Sequence, residues 1–289
     1  MILQTLPYIL FRSFPTGGYI TDNRNFGYDT ASHNCLKVGE LLLSKTGSKF
    51  YSLLSGTPQY FDQVLEQLYK FYPDVPESTI RKDAFEFYNS LYLKGFIFIG
   101  EENNYNDFIS KYFSYDNVSH IVLSTLDQQA SENVFREAFG NNWFLTRVHV
   151  DISSHCNENC IHCYIPKSYK VGFMSDELFD NILEQCRNMN VLNLTISGGE
   201  PMLNIHLKEM LQKAIKFNIS VNLLSNLTLL SDELLDVISS SPLICVQTSL
   251  YSMDKHVHDS ITQKPGSFEK TINSITSVHL NPLTFGFAY

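Results

Sequence analysis

The chain has 289 residues, 44% hydrophobic and 18% charged, with a formal net charge of −9. That length allows about two domains and a substantial core, and the composition excludes an intrinsically disordered chain. The acidic balance leaves no basic footprint for nucleic acid, and six cysteines are too few for a disulfide-stapled secreted domain.

The N-terminus, Met1-Ile-Leu-Gln-Thr-Leu-Pro, lacks the basic region and small-residue cleavage site of a secretory signal. No apolar run reaches the ~18 residues needed to span a bilayer, so the expected location is the cytoplasm, with no membrane partner. Residues Tyr19–Asp29 read as strand, turn, strand. Asn34–Leu43 carries apolar residues at helical spacing, and Gly47 is expected to end that helix. Thr57-Pro58 introduces a helix over Gln59–Tyr72, a third helix covers Glu77–Lys94, and Phe96–Ile99 is a short strand. A small β element, three helices and a closing strand form a winged-helix-like α+β pattern over residues 1–100, with Tyr19, Phe26 and Tyr28 on a candidate peptide-binding edge. Such a domain can bind DNA, which the charge disfavours, or offer a sheet edge to an extended peptide.

Residues 101–143 form a polar connector, with loops expected at Glu101–Asp107 and Leu126–Asn133. From residue 144 to 289 strands and helices alternate. Strands are expected at Val148–Ile152, Val191–Ile196, Ser220–Leu224, Ile244–Leu250 and Leu283–Ala288. Helices are expected at Ser175–Met189, Ile205–Lys216, Ser231–Ser239 and Ser267–Val278. Ser175 and Ser231, each followed by two acidic residues, are good helix starts. The alternation implies an α/β fold with a parallel sheet, open or barrel-like.

Chemistry concentrates at two strand ends. After the first strand comes Cys156-Asn-Glu-Asn-Cys160-Ile-His-Cys163-Tyr164, three thiols within eight residues. Three thiolates on one loop suit an iron–sulfur cluster with one open iron better than a structural zinc ion, which wants four ligands; a partial zinc site is the bland alternative. After the second strand comes Gly198-Gly199-Glu200-Pro201. Its glycines would let backbone approach a ligand, and its carboxylate could receive an ammonium group. Read alone, that turn is as well explained as an ordinary βα turn. Both motifs sit at carboxyl ends of strands, where α/β folds bind ligands. Cys35, Cys186 and Cys245 stand apart and read as ordinary buried thiols.

Together, C-x3-C-x2-C and the following Gly-Gly-Glu-Pro resemble the radical S-adenosylmethionine enzymes over residues 145–289. The resemblance implies a partial (β/α) TIM-like barrel. It also implies that Cys156, Cys160 and Cys163 hold a [4Fe–4S] cluster whose open iron chelates S-adenosylmethionine. Contacts to that cofactor are then expected from Gly198, Gly199, Glu200 and Pro201, from Asn226 where the family often has Thr-Asn-Gly and this chain has Leu227, and from Ser249. His162 and Tyr164 would pack near the adenine or the cluster. The bound pair would generate a 5′-deoxyadenosyl radical, with a reductant such as flavodoxin or ferredoxin as electron donor.

His258-Asp259 and Lys264-Pro-Gly-Ser-Phe268 resemble a loop of the peptide-maturase (SPASM-type) branch. Residues 1–100 are similar to its PqqD-like leader-recognition domain. The implied substrate is a ribosomally synthesised precursor peptide with a leader segment, receiving a crosslink, a thioether or an epimerised centre. Such maturases usually continue into an auxiliary-cluster domain, so this chain reads as C-terminally truncated. Alternatives are an anaerobic sulfatase-maturase-like enzyme and a non-catalytic leader-binding fragment.

Overall fold

The computed structural model of the protein describes residues 1–23, 39–113, 145–170 and 172–279. Cys35, the turn through Phe26 and Tyr28, the loop at 126–133 and the strand expected at Leu283–Ala288 lie outside the described residues. The described chain forms two compact units, one on each side of residue 144.

In the N-terminal unit, β1 (Ile2–Thr5) lies between β5 (Gln59–Tyr60) and β6 (Ile97–Gly100), antiparallel to both. A second antiparallel sheet runs β2 (Ile9–Phe14), β3 (Gly17–Asp22), β4 (Glu40–Leu43). The helices are α1 (Lys45–Tyr51), α2 (Phe61–Phe71) and α3 (Glu77–Leu93). The last two lie within one residue or two of expectation, because Val64, Leu65 and Leu68 on α2 and Ile80, Ala84, Tyr88 and Leu91 on α3 repeat at helical spacing and are buried.

Three expectations are corrected here. Glu40–Leu43 is a strand paired with Gly18–Thr21, not the end of a helix; a short apolar run carries no period long enough to distinguish the two. Gly47 does not stop a helix but lies inside α1, where its N–H donates to the Ser44 hydroxyl at 3.1 Å, capping the helix. The polar residues after Gly100 form a 3₁₀ turn and then α4 (Tyr105–Phe113), whose Tyr105 and Phe108 rings meet Phe98.

The C-terminal unit carries a four-stranded parallel sheet in sequential order: β7 (Arg147–Ser153), β8 (Asn193–Gly198), β9 (Ser220–Leu224) and β10 (Ile244–Gln247). Each strand lies beside its predecessor, the order of a barrel wall and not of a doubly wound sheet. The connecting helices are α5 (Asp176–Asn188), α6 (Leu207–Lys216) and α7 (Asp232–Ser240); α8 (Lys255–Thr262) and α9 (Ser267–His279) follow β10. Ser175 and Ser231 cap α5 and α7, accepting from the backbone N–H of Leu178 and Leu234.

The period of two along each strand divides the sheet faces. Val150, Ile152, Leu194, Ile196, Val221, Leu223, Ile244 and Val246 share one core with Phe179, Leu183, Met210, Leu211 and Ile238 of the helices. The alternate residues are mostly polar, Leu224 and Cys245 apart. Asn193 reaches Ser220 O at 3.3 Å, and Asn222 donates to Asn193 Oδ1 at 3.4 Å. A parallel strand with one polar face departs from the continuous apolar run that burial on both faces produces. It gives this wall an interior able to line a polar cavity.

Candidate functional site

The cysteine loop leaves β7 through Ser153-Ser154-His155. β7 and β8 shift register between Asp151 and Ser153, and the strand end is interlocked with the glycine turn: Gly199 N donates to Ser153 O at 2.6 Å and Glu200 N to His155 O at 2.7 Å. A Cβ on Gly198 would stand 2.0 Å from Ser153 O, and one on Gly199 2.2 Å from His155 O. Gly198 also has φ +135°, a region open to glycine. The close approach these glycines permit is therefore to the backbone beneath the cysteine loop.

Glu200 is fully buried. Its Oε1 accepts from the Ser225 hydroxyl at 2.7 Å and Met202 N at 2.9 Å, and its Oε2 accepts from Asn226 N at 2.8 Å. Burial pushes this carboxyl up to about 7, against the opposing pull of those three donors. It ties β8 to the turn after β9. Neither Glu200 nor the buried Pro201 lines the cavity described next.

That cavity, about 280 Å³, lies between the cysteine loop and the carboxyl ends of β8, β9 and β10. It is lined by Cys156, Cys160 and Cys163, with His162 and Tyr164, from the cysteine loop, and by Gly198, Gly199, Asn226 and Ser249 from the strand ends. The structure thus gathers nine of the eleven candidate residues around one space. Cys156 and Cys160 are half-buried and Cys163 is exposed. Burial, reinforced by Glu158, pushes the Cys160 thiol up to about 11, and burial also raises Cys156. His162 Nε2 lies 3.1 Å from the Tyr251 hydroxyl, their rings edge to face. The Asn226 side chain donates to Asn157 Oδ1 at 2.9 Å, joining the β9 turn to the cysteine loop.

The turn after β9 answers the question raised by Leu227. Leu227 is fully buried and holds φ +61°, the left-handed conformation that glycine adopts freely. That conformation costs a leucine roughly 1–2 kcal/mol, whereas deleting a buried leucine side chain costs about 2–5 kcal/mol. Leu227→Gly is therefore expected to destabilise the domain by only about 1–3 kcal/mol in urea unfolding. A loss near 5 kcal/mol would mean that the left-handed turn is not strained.

Among the described residues, no group of three or more His, Cys, Asp or Glu is arranged to hold a single metal ion. A cluster asks for a different fit, since its irons spread the thiolates apart. Two observations test the fit of the larger group. The lining carries a donor set of three thiols. In the same lining stand Gln247 and Thr248, whose Oε1 and Oγ1 are buried and without a hydrogen-bond partner among the described residues. Orphaned buried polar atoms are rare in native proteins, and a bound polar group is one thing that satisfies them. The residues present fit a cluster with a polar ligand beside it.

In metal-free protein at about pH 8, reactivity should follow exposure and thiolate fraction. Iodoacetamide is expected to alkylate exposed Cys163 first, Cys160 more slowly, and Cys245 more slowly still, its thiol raised by burial to about 12. Peptide mass spectrometry reads the order directly; Cys245 reacting before Cys163 would contradict it.

Residues 150–281 match the sequence profile of the Radical SAM superfamily. This segment is a radical SAM domain. Radical SAM enzymes use a [4Fe–4S] cluster and S-adenosylmethionine. The chain is 32% identical over 140 residues to the antilisterial bacteriocin subtilosin biosynthesis protein AlbA of Bacillus subtilis (strain 168), covering 47% of this chain and 31% of that protein. It is 28% identical over 128 residues to the sporulation killing factor maturation protein SkfB of the same organism, covering 44% of this chain and 31% of that protein. The chain thus spans under a third of either relative. Among solved structures, Streptococcus suis SuiB bound to precursor peptide SuiA matches with a TM-score of 0.55 at 18% identity, over 96% of this chain and 55% of that one. At that identity the likeness is one of fold.

Three features of the radical SAM domain were missed by reading the sequence. Tyr251, the partner of His162, lies one residue past the expected strand Ile244–Leu250 and has no role assigned by the sequence. Glu158 likewise has no role assigned by the sequence, yet it is buried at 3% exposure. Helix α8 was not expected, because Lys-His-Val-His-Asp-Ser-Ile-Thr shows no clear apolar stripe; the Asp254 cap, whose side chain accepts from His256 N at 2.8 Å, was the available signal.

Proposed function

We propose that this chain belongs to an enzyme that modifies a ribosomally synthesised precursor peptide by radical chemistry, with its radical SAM domain as the reaction centre. The observation that carries the reading is one cavity lined both by three thiols and by Gln247 and Thr248, whose buried side-chain oxygens lack partners among the described residues. Cys156, Cys160 and Cys163 would hold the [4Fe–4S] cluster. Gln247, Thr248, Ser249 and the backbone of Gly198 and Gly199 would hold and orient the polar parts of S-adenosylmethionine, with His162, Tyr164 and Tyr251 lining the same cavity. When bound, the cluster and S-adenosylmethionine supply a one-electron cleavage that yields a hydrogen-abstracting radical. The protein's part is to orient the groups and limit water at the reacting centre.

The substrate class is supported by relatives whose names describe bacteriocin biosynthesis and maturation of a killing factor, and by the likeness in fold to a protein bound to its precursor peptide. Residues 1–100 would take the leader segment, with their antiparallel sheets offering an edge for strand addition. A flavodoxin or ferredoxin would supply the electron in the cytoplasm, and nucleic acid has no place in the reading, given the net charge of −9.

The test is 5′-deoxyadenosine formation by anaerobically reconstituted protein with dithionite and S-adenosylmethionine. Wild type is expected to form the product and to bind iron and sulfide. The triple variant Cys156→Ala, Cys160→Ala, Cys163→Ala is expected to do neither. A wild-type chain that takes up no iron would sink the proposal.

A further inference from the structure

The cysteine loop is held from outside by the two helices that follow β10. Asn159 N donates to Thr262 O at 3.0 Å and Ile161 N to Ile261 O at 2.9 Å. Both acceptors belong to the end of α8, where carbonyls have no partner within the helix. Cys160 therefore sits between two main-chain anchors. Beside it, the buried Glu158 accepts from the Ser267 hydroxyl through Oε1, and its Oε2 lies 3.6 Å from Cys160 Sγ. Ser267 opens α9.

Ser267 is itself aimed by His258, which is 1% exposed. His258 Nδ1 accepts from Tyr251 N at 3.3 Å, and its Nε2 lies 3.3 Å from Ser267 Oγ. A backbone N–H can only donate, so in the neutral imidazole the proton resides on Nε2 and points at Ser267 Oγ. The serine's single hydrogen then goes to Glu158. Asp259 closes the turn between the helices by accepting from Gly266 N at 2.7 Å and Phe268 N at 2.9 Å. The run His258-Asp259 and the run Gly266-Ser267-Phe268 are thus parts of one hydrogen-bonded device.

We propose that the α8–α9 hairpin is a clamp on the cysteine loop, in which His258, Asp259 and Ser267 are positioning residues that fix Glu158 and the Asn159–Ile161 backbone and so set the direction of Cys160. The clamp gains its catalytic meaning from the proposed function, but its geometry is a property of the protein alone. It acts on one of the three thiols: Cys163 stands outside the anchored stretch, its N–H bonded within the loop to Cys160 O at 3.0 Å.

The clamp is tested in the metal-free 289-residue chain by alkylation rates of individual cysteines and by amide hydrogen exchange. Ser267→Ala should speed alkylation of Cys160, and exchange at Asn159 and Ile161, by about three- to tenfold, the exposure released when one hydrogen bond of ordinary net strength is lost. The rate at Cys163 should not change. Ser267→Thr, which keeps the hydroxyl, should restore the wild-type Cys160 rate. Should Ser267→Ala melt more than a few degrees early, Ser267→Cys keeps a weaker donor toward Glu158 and should give a Cys160 rate between those of wild type and alanine. After reconstitution, the electron paramagnetic resonance spectrum of the reduced cluster should differ between Ser267→Ala and wild type and coincide for Ser267→Thr. Unchanged Cys160 and amide rates in Ser267→Ala, an equal rise at Cys163, or failure of threonine to rescue would each overturn the clamp. A wild-type chain that binds no cluster yet shows the Cys160-selective effect overturns the functional reading and leaves the clamp standing.

Discussion

Gly199→Ala is expected to destabilise the radical SAM domain by more than about 3 kcal/mol, the range reached only by severe packing or backbone defects. The added Cβ would stand 2.2 Å from His155 O, 2.6 Å from His155 C and 2.9 Å from Ser154 O. All three are backbone atoms, and none is at the end of a flexible side chain that could turn away. The hydrogen bonds from Gly199 N to Ser153 O and from Glu200 N to His155 O pin the same backbone, so relief requires the cysteine loop to part from β8. Cluster uptake should fall along with stability. Gly172→Ala is the matched control: its Cβ would meet only Ser154 Oγ, at 3.8 Å, an ordinary contact. Urea unfolding of the two variants decides the matter, and a Gly199→Ala chain within 1 kcal/mol of wild type, about a fivefold change in equilibrium, would show that the turn is not interlocked.

Glu200→Ala should cost about 2–4 kcal/mol, because it orphans the half-buried Met202 and Asn226 N–H groups and the buried Ser225 hydroxyl together. The same carboxyl gives a signed pH effect. Its folded pKa is raised from 4.5 to about 7, so the folded state holds a proton that the unfolded chain has already released. Its favourable contribution is complete below pH 4.5 and is lost as pH rises toward about 7, with a slope of up to about 1.4 kcal/mol per pH unit; above 7 it is flat. In the protonated form, the Ser225 hydroxyl can turn to accept from Glu200. Glu200→Gln cannot titrate and should remove this slope while losing the acceptor facing Asn226. Stability measured by urea unfolding from pH 4.5 to 7.5 tests it; a slope that survives in Glu200→Gln belongs to another group.

The parts of the fold that were legible in the sequence are those where local chemistry and tertiary packing agree. β9 occupies Ser220–Leu224 as expected, and α5 and α7 begin one residue after the serines that cap them. The cysteine spacing and the glycine turn located the cavity, because both lie at strand ends where a parallel sheet binds its ligands. What stayed illegible depends on partners far away in sequence. Glu40–Leu43 becomes a strand only through Gly18–Thr21. Glu200 looked like a ligand to an ammonium group, yet its oxygens are turned to Ser225 and Asn226 some 25 residues on. Glu158 is a polar spacer in the sequence, and only Ser267, 109 residues later, makes it a buried acceptor.

That separation also sets an order of events during synthesis. Ribosomes add about 5–20 residues per second, so the cysteine loop leaves the ribosome roughly 5–20 s before the serine that fastens it. Through that interval the three thiols belong to a loop without its outer anchors, open to oxidants and to stray metal ions. Only once α9 has docked does the loop hold the Glu158–Ser267 contact and the anchors on Asn159 and Ile161 described above.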